Sequence, residues 1–403
     1  MGGTSRLAGA IAVVSPAGTT FAERRFGGYP AFVAAALAVR RGRSVNPSPV
    51  WLFRPMTASV PRVSVLMTTH DGVGTISESI ASILTQDMPD FELIVVDDAS
   101  SDDTPVLLRA TADPRLVLIR NEARLGIADA RNRGLARCRA PYIATIDHDD
   151  LSDPRRLSLQ AAYLDAHPDI VLVGTAVHEL RDGKLTPEDQ PARISPPLLR
   201  LLLHLDNPLA WSSVMLRAEA LRALDPPLLQ PAFEPADDFD LYHRLLALGS
   251  VARLDAPLTT YRWHTSNTSY TAGARSTDAA IRVLARSYAP WFGSEAAAAA
   301  AMIVRHSNDR VAVTDVATMM RLRDIVRRVA EGLIAAHPTE QPEITAGTRL
   351  VLWRLTRAAV RSGHPSLFRP PAPPVDASLS LAVGSIRAGF ALAGAQVRRS
   401  RLP

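Results

Sequence analysis

Short apolar runs alternate with helical stretches through the first half of the chain. Each run is four to eight residues long and almost entirely apolar, which is typical of strands buried between two layers of helices. The runs are Val63–Met67, Phe91–Val96, Leu116–Ile119, Tyr142–Ile146 and Ile170–Val177. Strands that alternate with helices in this way predict an α/β fold with a mixed, mostly parallel sheet.

Residues with helical spacing fill the intervals between these runs. The predicted helices cover Thr75–Thr85, Thr104–Thr111, Ile127–Arg137 and Arg155–His167. Asp153 followed by Pro154 predicts an N-cap and a first-turn proline for the last helix. The first half is therefore predicted to be a Rossmann-like nucleotide-binding half-domain.

The pattern is less regular between residues 184 and 269. The predicted elements are helices at Pro197–Leu205 and Asp238–Leu248, a strand at Ser212–Leu216, and a strand ending at Tyr261–His264.

Composition divides the chain into three predicted regions. Residues 1–60 are rich in Gly, Ala, Arg, Pro and Ser without sustained periodicity, which predicts a poorly ordered N-terminal extension, and Met56 is an alternative translation start. Residues 61–272 form the predicted α/β domain. Residues 273–403 are predicted to be mainly helical, with a proline-rich break at residues 370–374.

The composition is that of a globular chain with an arginine-rich basic excess. Hydrophobic residues make up 47% of the chain and charged residues 21%, which is enough for a sizeable core. The net charge is +5, but the basic residues are scattered and aromatic residues are only 5%, so nucleic-acid binding is not predicted. The single cysteine, Cys138, excludes an internal disulfide and fits a reducing, cytoplasmic compartment.

No stretch of the sequence offers the ~20 uninterrupted apolar residues that a membrane span requires. Two interpretations stay open for Leu379–Ala395, which contains Arg387 and is followed by Arg398, Arg399 and Arg401. One is a peripheral contact with an anionic membrane surface, and the other is a docked or loose terminal helix. We therefore expect no transmembrane span, and a location in the cytoplasm or at the inner face of the membrane.

Polar and acidic residues follow three of the predicted strands, at Thr68–Gly72, Asp97–Ser100 and Asp147–Asp150. Ligands of open parallel sheets bind where the carboxyl ends of the strands meet. Asp147 and Asp149 are two residues apart and would share one face if the strand continued through them. Two hard oxygen ligands in such a DxD triplet suit Mg²⁺ or Mn²⁺, with a diphosphate completing the shell.

Residues 62 to about 270 resemble an inverting family 2 glycosyltransferase of the GT-A fold. The matching segments are, in order, Val63–Gly72, Ser79–Gln86, Phe91–Thr104, Asn121–Gly126, Ala130–Gly134, Tyr142–Asp150 and Ala236–Leu241. The resemblance implies transfer of a sugar, with inversion and with help from a divalent metal, Mn or Mg. The donor would be a nucleotide diphosphate-sugar and the acceptor a saccharide or lipid-linked hydroxyl, in the synthesis of cell-surface polysaccharide or glycoconjugate.

The resemblance also implies roles for residues on the donor side. Thr68 and His70 would border the base and ribose, and Asp98 would accept a hydrogen bond from the base. Asp147 would hold the ribose or the nucleotide. Arg124 is either a contact to the base or diphosphate or a solvated loop arginine.

On the metal and acceptor side, the resemblance implies that Asp149 ligates the metal that bridges the phosphates. His264 is a second metal ligand or a hydrogen-bonded surface histidine. Asp238 is the predicted general base, which must lie within about 3 Å of the acceptor hydroxyl. Asp237 beside it is interpreted as a structural N-cap. Trp211 either stacks on a sugar ring or belongs to the core.

Other kinds of function stay open from the sequence. A haloacid dehalogenase-like phosphatase also has a DxD after a buried strand, but it has this motif on its first strand and a Thr or Val where Leu151 stands here. A dinucleotide-binding oxidoreductase would need a third glycine where Ser77 follows Gly72 and Gly74. A catalytically silent module that binds a carbohydrate or nucleotide is the alternative outside enzymes.

Overall fold

The computed structural model describes residues 59–265 and 267–361. Its first half contains β1 (Val63–Thr69), α1 (Ile76–Leu84), β2 (Phe91–Asp97), α2 (Thr104–Ala110), β3 (Leu116–Arg120), α3 (Ile127–Leu135), β4 (Tyr142–Asp147), β5 (Leu151–Ser152), α4 (Arg156–Ala166) and β6 (Ile170–Arg181). All five predicted strands and all four predicted helices of this half are confirmed. The N-cap expected of Asp153 is wrong, because Arg155 precedes the first helical residue, Arg156.

The second half of the α/β region contains β7 (Lys184–Pro187), α5 (Pro196–Leu203), β8 (Met215–Arg217), α6 (Ala218–Arg222), α7 (Asp237–Leu245) and β9 (Ser250–Arg262). The strand predicted at Ser212–Leu216 is wrong in its first part, because Trp211–Ser213 forms a 3-10 turn. The Thr145 hydroxyl donates to the carbonyl of Trp211, and the backbone N–H of Asp147 donates to the Ser212 hydroxyl. These side-chain bonds take the place of the ladder that a strand would make.

The chain continues as helices α8 (Thr268–Thr271), α9 (Ala274–Phe292), α10 (Ala296–Ile303), α11 (Val316–Ala336) and α12 (Gln341–Arg361). The predicted helical C-terminal region is therefore confirmed as far as residue 361. Residues 1–58 of the predicted extension, Met56 among them, lie outside the described residues, as do the proline-rich break and Leu379–Ala395. Between residues 59 and 361, no described helix is both long enough and apolar enough to cross a bilayer.

The nine strands of the described residues form one sheet in the order β3-β2-β1-β4-β8-β6-β9-β5, with β7 paired to β6. Strands β1, β2, β3, β4, β6 and β9 run in one direction, and the short strands β5, β7 and β8 run against them. The predicted mixed, mostly parallel sheet is thus confirmed. Because β1, β2 and β4 are parallel neighbours, the polar residues that follow them meet at one edge.

The sheet separates two apolar clusters, and alternate residues of β1 enter opposite clusters as the strand period requires. Met67 joins the cluster under α1 and α4, whereas Leu66 joins the cluster under α3 and the C-terminal helices. Gly134 of α3 lies so close to β1 that an added Cβ atom would collide with Leu66 and lie 3.0 Å from Cγ2 of Val96. Helix α3 therefore packs directly on the strands that carry the candidate site.

Candidate active site

The residues that follow β1 and β2 meet at the carboxyl edge of the sheet. Thr68 is in register with Asp147 of β4. The backbone N–H of Asp98 donates to the carbonyl of Thr69 at 2.8 Å, and Nδ1 of His70 lies 2.8 Å from the carbonyl oxygen of Asp98. Four of the residues predicted for the donor side, Thr68, His70, Asp98 and Asp147, are therefore brought together.

Asp98 is only 4% exposed, and its carboxylate holds the loop between β3 and α3. It accepts hydrogen bonds from Nδ2 of Asn121 at 2.7 Å and from the backbone N–H groups of Leu125 at 2.9 Å and Gly126 at 3.0 Å. Arg124 lies exposed in the same loop. Asp98 thus orders the loop that carries Arg124, and its contact with a base stays a prediction.

Asp147, Asp149 and Asp150 form an acidic cluster at the end of β4 and in the turn that follows it. The strand ends at Asp147 and a turn follows, so the condition for a shared strand face of Asp147 and Asp149 is not met. The Ser79 hydroxyl donates to the carbonyl of His148 at 2.7 Å and fixes this turn. The turn still brings one carboxylate oxygen of each aspartate within 4.8 Å of the others.

Asp150 is the deepest member of the cluster and is fully buried. Its Oδ1 accepts the backbone N–H of Arg262 at 2.9 Å, while its Oδ2 has no hydrogen-bond partner in the described part of the chain. Burial, together with the charges of Asp149 and Asp147, raises the pKa of Asp150 well above its usual value. Burial also raises the pKa of Asp147, although Arg131 opposes this shift. A cation would offset this crowding of negative charge.

His264 reaches the acidic cluster from the end of β9. Its Nε2 lies 2.8 Å from Oδ2 of Asp149, although the two residues are 115 positions apart. Asn267 holds the turn in which His264 lies: its Oδ1 accepts the N–H of His264 at 2.5 Å, and its Nδ2 donates to the carbonyl of Arg262 at 2.9 Å. Asn267 is buried, and its part in this turn was not predicted from the sequence.

Asp237 opens α7 as its first helical residue, and its side chain points away from the helix. The predicted N-cap role is wrong, because Ala236 occupies the N-cap position. The fully buried carboxylate of Asp237 instead accepts from Nη1 of Arg131 at 3.1 Å. Asp237 therefore belongs to a buried ion-pair network.

Asp238 follows in the first turn of α7 and is half-buried. Its Oδ1 accepts the backbone N–H of Phe239 at 2.7 Å, and its Oδ2 accepts from Nδ2 of Asn207 at 3.3 Å. Burial, followed by the charge of Asp237, raises the pKa of Asp238 to about 7. A carboxylate with a pKa near 7 is well matched to proton abstraction at neutral pH.

Arg131 of α3 joins the two acidic groups, and the sequence analysis assigned it no role. Its Nη2 donates to Oδ1 of Asp147 at 3.2 Å, while Nη1 donates to Asp237. The guanidinium lies over the ring of Trp211, 4.4 Å from the centroid. Trp211 is 5% exposed, which favours the core interpretation of this residue over stacking on a sugar. The only sequence signal for Arg131 was its place in the segment Ala130–Gly134.

A cleft of about 420 Å³ opens beside the acidic cluster. It is lined by His148, His264, Trp263 and Arg262, together with residues of the β1–α1 loop and of the β6–β7 hairpin. Thr68, Asp98 and Arg124 are not among its lining residues. His264 therefore contributes both to the lining of this cleft and to the acidic cluster.

Known proteins resemble this chain over its α/β part. The model of the family described as "Glycosyl transferase family 2" matches residues 64–224. The putative glycosyltransferase EpsE of Bacillus subtilis (strain 168) is 34% identical over 195 residues, which are 47% of this chain and 69% of that protein. The glucosyltransferase WfgD of Escherichia coli is 37% identical over 102 residues, which are 25% of this chain and 40% of that protein.

One solved structure has a distant similarity to this chain. The crystal structure of S. aureus TarS 1–349 in complex with UDP-GlcNAc is 17% identical, with a TM-score of 0.49, and the match covers 75% of this chain and 92% of that one. The family assignment depends on sequence. The family model matches the chain from β1 to α6, and the match to EpsE covers more than two thirds of the EpsE protein. The chain therefore belongs to glycosyl transferase family 2 and is a glycosyltransferase.

Proposed function

We propose that this glycosyltransferase moves a sugar from a nucleotide diphosphate-sugar to an acceptor hydroxyl in a single displacement with inversion, assisted by a divalent metal. The observation that carries the proposal is the network in which one arginine, Arg131, donates both to Asp147 on the donor side and to Asp237, the neighbour of Asp238 in the chain. Such an arrangement offers one acidic group for the leaving diphosphate and another for the attacking hydroxyl.

The donor nucleotide is proposed to lie along Thr68, His70, Asp98, Asp147 and Arg124. The closeness of the first four at the carboxyl edge of β1, β2 and β4 supports this placement. An exposed guanidinium at Arg124, on a loop fixed by Asp98, suits an anionic or base-edge contact.

The acidic cluster fits a divalent cation. Carboxylate oxygens of Asp147, Asp149 and Asp150 lie within 4.8 Å, and one buried oxygen of Asp150 lacks a hydrogen-bond partner among the described residues. Asp149 and His264 are the proposed ligands, because the imidazole Nε2 already points at the carboxylate. Mg²⁺ or Mn²⁺ bound there would neutralise charge that develops on the leaving diphosphate.

Asp238 is the proposed general base. The acceptor oxygen forms its bond to the anomeric carbon as the bond from that carbon to the diphosphate oxygen breaks, and the hydroxyl proton passes to Asp238. Attack from the side opposite the leaving group inverts the configuration. Asn207 fixes one oxygen of Asp238 and leaves the carboxylate half-exposed to receive the proton.

The acceptor is proposed to be a saccharide or lipid-linked hydroxyl in polysaccharide synthesis. The printed name of WfgD describes a β-1,3-glucosyltransferase that acts on a sugar linked to diphosphoundecaprenol, and the match to that protein includes 25% of this chain. A peripheral membrane contact through the basic C-terminal segment stays a prediction, because that segment lies outside the described residues.

A panel of nucleotide-sugars tests the proposed function. The purified chain should release nucleoside diphosphate from one of the uridine, guanosine or thymidine diphosphate-sugars when Mn²⁺ or Mg²⁺ is present, and chelation by EDTA should remove the release. Tight binding of a nucleotide without turnover, with or without candidate acceptors, would identify a silent binding module instead.

The rate of transfer is expected to rise with pH up to about 7 and to level off above it. Because the pKa of Asp238 is raised to about 7, the carboxylate is protonated and inactive as a base at lower pH. We expect kcat/KM to fall roughly tenfold per pH unit below pH 7. Nucleoside diphosphate binding over the same range is the control, because protonation of the acidic cluster would weaken binding. A pH-independent kcat/KM between about 5 and 7 would contradict the assignment.

A further inference from the structure

Arg131 contacts both the acidic cluster at the end of β4 and the acid pair that opens α7. Its two terminal nitrogens donate to different carboxylates, at 3.2 Å to Asp147 and 3.1 Å to Asp237. Asp147 ends β4, whereas Asp237 begins α7, so the two acids belong to separate elements of the fold. The distance between them is therefore bridged by a single side chain.

The guanidinium is held on three sides. Two sides are the carboxylates, and the third is the ring of Trp211, 4.4 Å from the guanidinium carbon. Burial lowers the pKa of Arg131, but the charges of Asp237, Asp147 and Asp238 outweigh burial and keep the group protonated. Its Nε is buried without a hydrogen-bond partner among the described residues, so the two terminal nitrogens make the hydrogen bonds to the carboxylates.

We propose that Arg131 is a positioning residue that fixes the general base Asp238, through Asp237, relative to Asp147 and the donor. This inference rests on the proposed function. Asp237 and Asp238 are consecutive in the first turn of α7, so the hold on Asp237 sets the direction of that turn. A planar, two-pronged guanidinium can keep both carboxylates at once, which a lysine ammonium cannot do with the same geometry.

Arg131 also supplies the positive charge among the titratable groups that face Asp238. Those groups are Asp237, Arg131, Asp147 and Tyr242. Without the guanidinium, two carboxylates would oppose ionisation of Asp238 and no cation of this group would favour it. Loss of Arg131 is therefore expected to move the acid limb of the pH profile to higher pH, which a merely structural role would not do.

The test compares Arg131→Gln with Arg133→Gln, a change of an exposed arginine on the same helix α3. We expect Arg131→Gln to lower kcat by ~10²-fold, because small misplacements of reacting groups cost about that much. The acid limb should move to higher pH, because the glutamine carries no positive charge to favour ionisation of Asp238. The KM for the donor is measured alongside, since Arg131 also contacts Asp147 on the donor side. Arg133→Gln should match the wild type in all three measurements.

Unchanged kcat and an unchanged acid limb in a folded Arg131→Gln protein would overturn the proposal. If that variant does not fold, Asp237→Asn replaces it: the amide removes one charge that opposes ionisation, so the acid limb should move to lower pH while kcat falls. An Asp237→Asn protein with wild-type kcat and pH profile would equally overturn it. Wild-type turnover in the same assay distinguishes failure of the proposed function from failure of the role of Arg131. An inactive wild type would contradict the proposed function, whereas an active wild type tests only the role of Arg131.

Discussion

Asp149→Ala is expected to abolish sugar transfer and to remove the metal dependence of nucleotide binding. Asp149 is the member of the acidic cluster that contacts His264, at 2.8 Å, so its loss removes one proposed metal ligand and leaves the other without its partner. The charge on the leaving diphosphate would then be offset by no cation. We expect kcat/KM to fall by ~10³-fold, the upper end of the effect of removing one group that stabilises charge in a transition state.

Calorimetric titration of nucleoside diphosphate with and without Mn²⁺ separates binding from chemistry in this variant. Asp169→Ala is the matched control, because Asp169 is an exposed aspartate just before β6, at the amino end of the sheet. Its activity and metal-dependent affinity should equal those of the wild type. Metal-dependent binding that survives in Asp149→Ala would show that the cation is held elsewhere.

Asp238→Asn is expected to stop turnover and to leave nucleotide binding intact. The amide keeps the shape of the carboxylate and one of the two acceptor oxygens that Asn207 and the N–H of Phe239 contact, but it cannot take a proton. General-base catalysis contributes about 10²–10⁴-fold, so we expect kcat to fall within that range while metal-dependent nucleotide affinity changes less than about threefold. Asp225→Asn, an exposed aspartate in the loop before α7, is the isosteric control. Wild-type kcat in Asp238→Asn would exclude Asp238 as the base.

The same substitution is expected to stabilise the protein above neutral pH. Because the folded-state pKa of Asp238 is raised to about 7, the folded state binds this proton more tightly than the unfolded chain. The stability gained from the proton is fully present below the unfolded pKa and is lost as the pH rises through about 7. The melting temperature of Asp238→Asn relative to wild type should therefore be higher at pH 8 than at pH 5. An equal difference at the two pH values would contradict this account.

The sequence predicted the first half of the fold well because its signals are local. Each parallel strand is a continuous apolar run. Because these strands run in one direction, the residues that follow them lie at the carboxyl edge of the sheet. The short strands β5 and β7 were not predicted, and β8 only in part. Two to four residues carry too little pattern, and their pairing is decided by neighbours distant in sequence, as when Leu151 pairs with Thr260.

The candidate site divides in the same way between local and distant information. The clustering of Asp147 and Asp149 was predictable from their spacing, even though a turn and not a strand brings them together. The partners of Asp237 and His264 were not, because the contact between Arg131 and Asp237 spans 106 positions and that between His264 and Asp149 spans 115. The charge state of each acid depends on its burial and on neighbouring charges, which several distant segments supply. No single segment therefore predicts it.

Gly134 has no functional group, yet the reaction geometry depends on it. Its missing side chain lets α3 rest on Leu66 and Val96, and Arg131 lies one helical turn earlier on the same helix. A single methyl group at residue 134 would lift the helix, and the guanidinium would move with it, away from both carboxylates. A larger residue at position 134 would therefore reduce activity only by shifting the backbone of α3. We expect such a chain to be inactive even if it folds and keeps every acidic residue.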